Sequence, residues 1–158
     1  MTKYITTLKQ IRNNSPCEDG WKKLLIFLGK KKADQEPLDI LTILKSNGID
    51  DAIWCLRAVL EDCDADIERL AVTFAKGKRP FLPKNKNGQR YLVQVKLYAL
   101  LDNTEFQLKY RIVTPAQAAF SSSILARHFF FMEEHHKGWK HECSWQNSLF
   151  RRWLMGKL

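Results

Sequence analysis

YLVQVKLYALLDNTEFQLKYRI, Tyr91 to Ile112, is the stretch on which the fold class turns. In its second half Phe106, Leu108, Tyr110 and Ile112 alternate with Gln107, Lys109 and Arg111. Successive side chains of a strand point to opposite faces, so this alternation reads as a half-buried β-strand. Tyr91, Val93, Val95 and Leu97 alternate less cleanly with Leu92, Gln94, Lys96 and Tyr98. Asp102-Asn103 supplies turn chemistry between the two runs, and the stretch is expected to fold as a β-hairpin. A helix across 91–101 is the competing reading.

Upstream, the chain reads as five short helices with clear punctuation. Tyr4, Ile5, Leu8 and Ile11 recur at helical spacing until Asn13-Asn14. Ser15-Pro16-Cys17-Glu18 has the form of a capping box, opening a helix with Trp21, Leu24, Leu25 and Leu28 that ends at Gly29. Glu36-Pro37 opens a third, closed by Asn47-Gly48 as a left-handed cap. Asp50 or Asp51 starts a fourth, and Asp64 or Asp66 a fifth that Gly77 ends. Helices this short do not persist alone in water, so they must pack together.

Residues 77–90 hold Pro80, Pro83, Gly77 and Gly88 among many basic side chains and read as a loop. Beyond the hairpin, Thr114-Pro115-Ala116-Gln117 is a second capping box, starting a helix through Phe120, Ile124, Leu125 and Phe129. Gly138 is expected to interrupt it, and Ser144 to cap a last helix with Trp145, Leu149, Phe150 and Trp153. The expected fold is therefore helix-rich α+β: an N-terminal array of short helices, one β-hairpin and two C-terminal helices. It is read as one domain over 1–158, with a helical part at 1–76 and the basic loop, hairpin and C-terminal helices at 77–158.

Composition bounds what such a chain does. With 158 residues, 45% hydrophobic and 11% aromatic, it is long enough for one domain with a real core. No apolar run approaches the roughly 20 residues of a membrane span. The first residues lack the apolar stretch of a secretion signal, and Cys17, Cys55, Cys63 and Cys143 form no CxxC pair. Free thiols in a reducing cytoplasm are expected, with no membrane partner and no cofactor.

Charge is the informative feature. Residues 1–75 carry 11 Lys and Arg against 12 Asp and Glu, whereas 76–158 carry 15 against 5. The whole excess of +9 therefore lies in the second half. Seven acids fall between Asp50 and Glu68, and eight basic residues with no acid follow from Arg69 to Leu101. Such a layout favours an anionic partner at one face.

Three groups of residues in the N-terminal third carry a resemblance. They are Pro16-Cys17-Glu18-Asp19-Gly20-Trp21-Lys22-Lys23-Leu24-Leu25, then Leu28-Gly29-Lys30 with Ala33-Asp34 and Glu36-Pro37-Leu38, and Ser46-Asn47-Gly48-Ile49-Asp50-Asp51-Ala52-Ile53-Trp54-Cys55-Leu56-Arg57-Ala58. This pattern resembles a segment of a bacterial and phage protein family to which no function is attached. Trp145-Gln146, Leu149 and Arg152 are similar to the end of those proteins. The middle departs from the family, whose members tend to be helical and rich in alanine and tryptophan there. The resemblance implies a helical N-terminal module and a phage or mobile-element origin, a setting in which small inhibitors of host defence are common. It transfers no catalytic residue.

Candidate sites follow from these patterns. Lys76, Lys78, Arg79, Lys84, Lys86 and Arg90 can track phosphates, with Phe81 and Tyr91 for stacking and Lys109 and Arg111 extending the patch from the strand. A solvated loop, or docking onto the acidic 50–68 region, is the plainer account of the same charges. Phe130, Trp139 and Trp153, beside Arg151 and Arg152, suit a protein interface, and one of Phe129-Phe130-Phe131 suits a homodimer contact. His135, His141 and Cys143 are the candidates for a metal, without HExxH or paired CxxC spacing. Asp50, Asp51, Asp62 and Asp64 fall at helix starts, where a carboxylate meets free N–H groups, and read as caps. Ser121-Ser122-Ser123 has no GxSxG turn.

The expected function is thus that of a non-catalytic binding protein. Its partner is acidic: nucleic acid or a nucleic-acid-handling complex, engaged by the basic loop and hairpin and inhibited by the contact. The competing readings are a protein–protein inhibitor or immunity factor using the aromatic C-terminus, and a small metalloenzyme using the histidines.

Overall fold

A computed structural model describes residues 2–77 and 89–157, the side chains of 89–95, 98 and 130–138 excepted. In chain order the elements are β1 (Ile5–Thr7), α1 (Leu8–Asn13), α2 (Glu18–Phe27), β2 (Pro37–Asp39), α3 (Ile40–Asn47), α4 (Ile49–Trp54), a 3-10 turn at Cys55–Ala58, α5 (Asp64–Lys76), α6 (Gln89–Lys109) and α7 (Pro115–Leu154). The fold class is the expected one: helix-rich α+β with one antiparallel strand pair. The strands lie elsewhere than expected. The chain forms two compact units, one from 1–63 with 150–158 and one from 64–149.

In the first unit β1 and β2 pair antiparallel, with Ile5 opposite Asp39 and Thr7 opposite Pro37. The other edge of β1 is taken by the chain after the 3-10 turn: Leu60 donates its N–H to the Ile5 carbonyl at 2.9 Å, and Thr6 Oγ1 donates to the Ala58 carbonyl at 2.5 Å. Both edges are thus satisfied, as a buried strand requires. Thr7 ends β1 and caps α1, accepting the Gln10 N–H at 3.1 Å. Asp39 does the same for α3, accepting the Leu41 N–H at 2.8 Å. Tyr4 and Leu38 are therefore buried as parts of the strand region rather than of helices.

The expected serine cap of α2 is not formed. Ser15 lies at φ 54°, and Cys17 occupies the cap position with no side-chain bond. Gly48, at φ 99°, closes α3 and opens α4 at once, a conformation that costs other residues strain. Between α2 and α4 the approach is close: a Cβ on Gly20 would stand 2.7 Å from Asp51 Oδ2. Asn47 Nδ2 locks that approach, donating to the Gly20 carbonyl at 2.8 Å and to Asp51 Oδ2 at 2.7 Å. Gly20, Asn47 and Asp51 all belong to the quoted N-terminal pattern.

In the second unit α5 and α6 run antiparallel, Ala75 packing with Leu97 and Leu100 at one end while Arg111 pairs with Glu68 at the other. Ala126 of α7 completes that buried cluster. The expected hairpin over 91–112 is therefore overturned: α6 spans it as a single helix, wider than the rival reading of 91–101. The stripe that holds it is Leu97, Leu100, Thr104 and Leu108, all buried at three- and four-residue spacing. Thr104 is a polar residue on that stripe, satisfied by donating to the Leu100 carbonyl at 2.7 Å and by sharing a 3.1 Å bond with Ser122 Oγ. Asp102-Asn103 is exposed helix surface, not a turn.

α7 opens on the second capping box, with the Gln117 N–H on Thr114 Oγ1 at 3.2 Å and the Thr114 N–H on Gln117 Oε1 at 2.9 Å. Its backbone is helical from Pro115 to Leu154, Gly138 included. It is not straight, however. Ser123 Oγ donates to Gln146 Oε1 at 2.8 Å, whereas 23 residues of straight helix would separate them by roughly 35 Å. The stretch doubles back between these two residues.

Candidate nucleic-acid interface

The end of α6 gathers the chemistry that the sequence distributes along 106–112. Tyr110 is the C-cap, and the chain closes with the Arg111 N–H on the Leu108 carbonyl at 3.1 Å and the Ile112 N–H on the Gln107 carbonyl at 2.9 Å. That is a Schellman ending, whose left-handed position is usually glycine. Here it is Arg111, at φ 53°. A side chain in that conformation costs about 1–2 kcal/mol relative to right-handed backbone. In return the guanidinium is carried across to α5, where it donates to Glu68 Oε1 at 2.5 Å with its side chain still 69% exposed.

One turn apart on the same helix, Phe106 and Tyr110 are 54% and 58% exposed, with ring centroids 4.7 Å apart and planes tilted by 48°. Lys109 Nζ lies 5.5 Å from the Tyr110 ring centroid, a cation–π distance. On the α5 side of the helix, away from the two rings, an open cleft of about 590 Å³ is lined by Glu68, Arg69, Thr73, Lys76, Glu105 and Leu108 among others. Arg69 is paired with Asp66 one turn earlier on α5. The end of α6 thus offers cations and two half-exposed rings, and the α5 side a separate shallow groove.

Of the expected basic patch, Lys76 is exposed at the end of α5, and Lys109 and Arg111 stand together at the end of α6, on a helix rather than on a strand. Lys78, Arg79, Lys84 and Lys86, with Phe81, lie outside the described residues. Arg90 and Tyr91 are in the first turn of α6, their side chains outside the description. Lys96 extends over the Phe129 ring at 5.9 Å. Phe106 and Tyr110 were assigned to a strand's buried face, and their exposure is the feature the sequence reading missed. Their four-residue spacing is the signal for it.

The expected C-terminal interface is corrected in part. Trp153 is only 8% exposed, stacked on Tyr4 at 3.9 Å and 18°, so it is core and cannot anchor a partner. Trp139 is 38% exposed, Arg151 and Arg152 are exposed, and the side chain of Phe130 lies outside the description. For the metal reading, His141 is exposed, Cys143 is half-buried, and the side chain of His135 lies outside the description. Among the described residues no three metal-ligating side chains gather. Glu142 of the same run is buried, accepting from Gln146 Nε2 at 3.0 Å.

Asp50 and Asp51 sit in the first turn of α4, and Asp64 and Asp66 in that of α5, where their charges meet the positive helix end. Ser122 and Ser123 are buried ties between helical segments. No described helix is long and apolar enough to cross a membrane. Comparison with family models, with curated proteins and with solved structures finds no match.

Proposed function

We propose that the chain is a non-catalytic binding protein of phage or mobile-element type, engaging nucleic acid or a nucleic-acid-handling complex through its basic stretch from Lys76 to Arg111. The observation that carries this reading is the cluster at the end of α6. There Lys109 lies over one of two exposed rings, and the next residue after them is an arginine held at positive φ. Left-handed backbone at a bulky residue, kept at a cost, is the kind of strain that collects at binding sites. The charge excess of 15 basic against 5 acidic residues over 76–158 adds long-range attraction for phosphate. An inhibitory role against a host defence complex fits the family that the N-terminal pattern resembles, and it works by occupation rather than by chemistry.

The test is a tagged pull-down from bacterial lysate, split into nuclease-treated and untreated halves. Bound nucleic acid that disappears with nuclease supports the reading. A single protein complex that survives nuclease at stoichiometric yield supports the protein-directed alternative, for which Trp139 is the exposed aromatic anchor.

A further inference from the structure

We infer that the end of α6 is a platform for single-stranded nucleic acid, with unpaired bases stacking on Phe106 and Tyr110 and the neighbouring phosphates taken by Lys109 and Arg111. This rests on the nucleic-acid reading above and narrows it. A duplex hides the faces of its bases and shows only groove edges and backbone, whereas a single strand presents a π-face at every base. Two rings more than half exposed and one helical turn apart offer aromatic surface on which unpaired bases can stack. The rings pack on each other rather than into the core, and the buried stripe of α6 passes on the Leu108 side instead.

The cations complete the match. Lys109 Nζ lies over the Tyr110 ring at 5.5 Å from its centroid, so the aromatic surface carries a cation that a phosphate can draw away. Arg111 is held only by an exposed pair with Glu68, an interaction worth little in water and readily exchanged for a phosphate oxygen. Its positive φ sets where the side chain leaves the backbone at the end of α6. Aromatic faces read every base alike, so the platform is expected to prefer strandedness over sequence.

The experiment compares fluorescein-labelled oligonucleotides of about twelve residues, single-stranded and as a hairpin duplex, in DNA and RNA, by anisotropy. Wild type, F106A/Y110A and the ring-retaining Y110F are measured, with circular dichroism to confirm that the exposed substitutions leave the fold intact. The expected result is at least about tenfold tighter binding of the single strand, lost in F106A/Y110A and kept in Y110F, with duplex affinity unmoved. Binding without strand preference, or a preference that survives F106A/Y110A, overturns the platform while leaving the nucleic-acid reading in place. No binding of any oligonucleotide overturns both.

Discussion

Ser123 Oγ donates to Gln146 Oε1 at 2.8 Å, and Gln146 Nε2 returns a bond to the Ser123 carbonyl at 3.1 Å, across 23 residues of one helical stretch. Both side chains are buried, and Gln146 also donates to Glu142. This reciprocal pair is what fastens the doubled-back α7. Replacing Gln146 by Ala removes three buried bonds and leaves a void, so it is expected to destabilise the protein by about 3 kcal/mol. Ser123→Ala, which keeps the carbonyl bond, should cost about 1 kcal/mol. Urea unfolding of the two single variants and the double variant reads the coupling. Simple additivity would mean that the pair does not act as a unit.

Gly20 gives a prediction that changes sign with its neighbour. An alanine there gains about 1 kcal/mol of helix propensity but drives a Cβ to 2.7 Å from Asp51 Oδ2 and 3.0 Å from Cys17 Sγ. Asp51 cannot swing away freely while it accepts from Asn47, so Gly20→Ala is expected to be destabilising by about 1–2 kcal/mol. With Asp51→Ala already present, the same change should become neutral or stabilising. Thermal unfolding of the four-member cycle measures it, and a destabilisation of equal size in both backgrounds would disprove the contact.

Cys55 is buried, and burial pushes its thiol up to about 12, with the Asp51 charge adding to the shift. A folded value above the ordinary 9.0 means that the native state resists ionisation. The associated stability is complete below pH 9 and is lost as pH rises from there through the folded value. Denaturant midpoints should therefore fall between about pH 9 and 11, and Cys55→Ala should flatten that fall. At about pH 8 a thiol reagent should label exposed Cys17 at once and Cys55 only on unfolding.

Much of the helical half was legible because its signals are local. The Thr114 capping box forms with both of its reciprocal bonds, and Gly48 and Gly77 end helices at positive φ where the pattern placed them. The strands were not legible: each has three residues, and what pairs Ile5 with Asp39 is tertiary. Asp39, not the Glu36-Pro37 start, caps α3 for the same reason. The hairpin reading failed at Thr104. A threonine in the buried stripe breaks the helical hydrophobic period, and bonds to the Leu100 carbonyl and to Ser122 on another segment make it an acceptable core residue. With that stripe disguised, the alternation of Phe106, Leu108, Tyr110 and Ile112 looked like a strand face, although only Leu108 of the four is buried. Of the candidate site, Lys109 and Arg111 were legible as charges, whereas the exposure of Phe106 and Tyr110 follows from the helix.

Arg111 separates stability from binding. Arg111→Gly relieves the left-handed strain at the end of α6 and gives up only an exposed ion pair, so it is expected to raise stability by about 1 kcal/mol. The same change should weaken oligonucleotide binding several-fold. Urea midpoints and anisotropy on one preparation read both. A less stable variant would show that the guanidinium is structural, and a more stable one with undiminished binding would show that it does not contact the oligonucleotide.

The central claim is that a cationic surface within 76–111 takes an anionic partner. It is tested most directly by titrating a labelled oligonucleotide with the full chain between about 50 and 200 mM salt. If six or more phosphates are neutralised, affinity should fall by about 10³-fold over that range, and reversing Lys78, Arg79 and Lys84 to Glu should abolish it. An affinity that is flat in salt and indifferent to the three reversals would contradict the account.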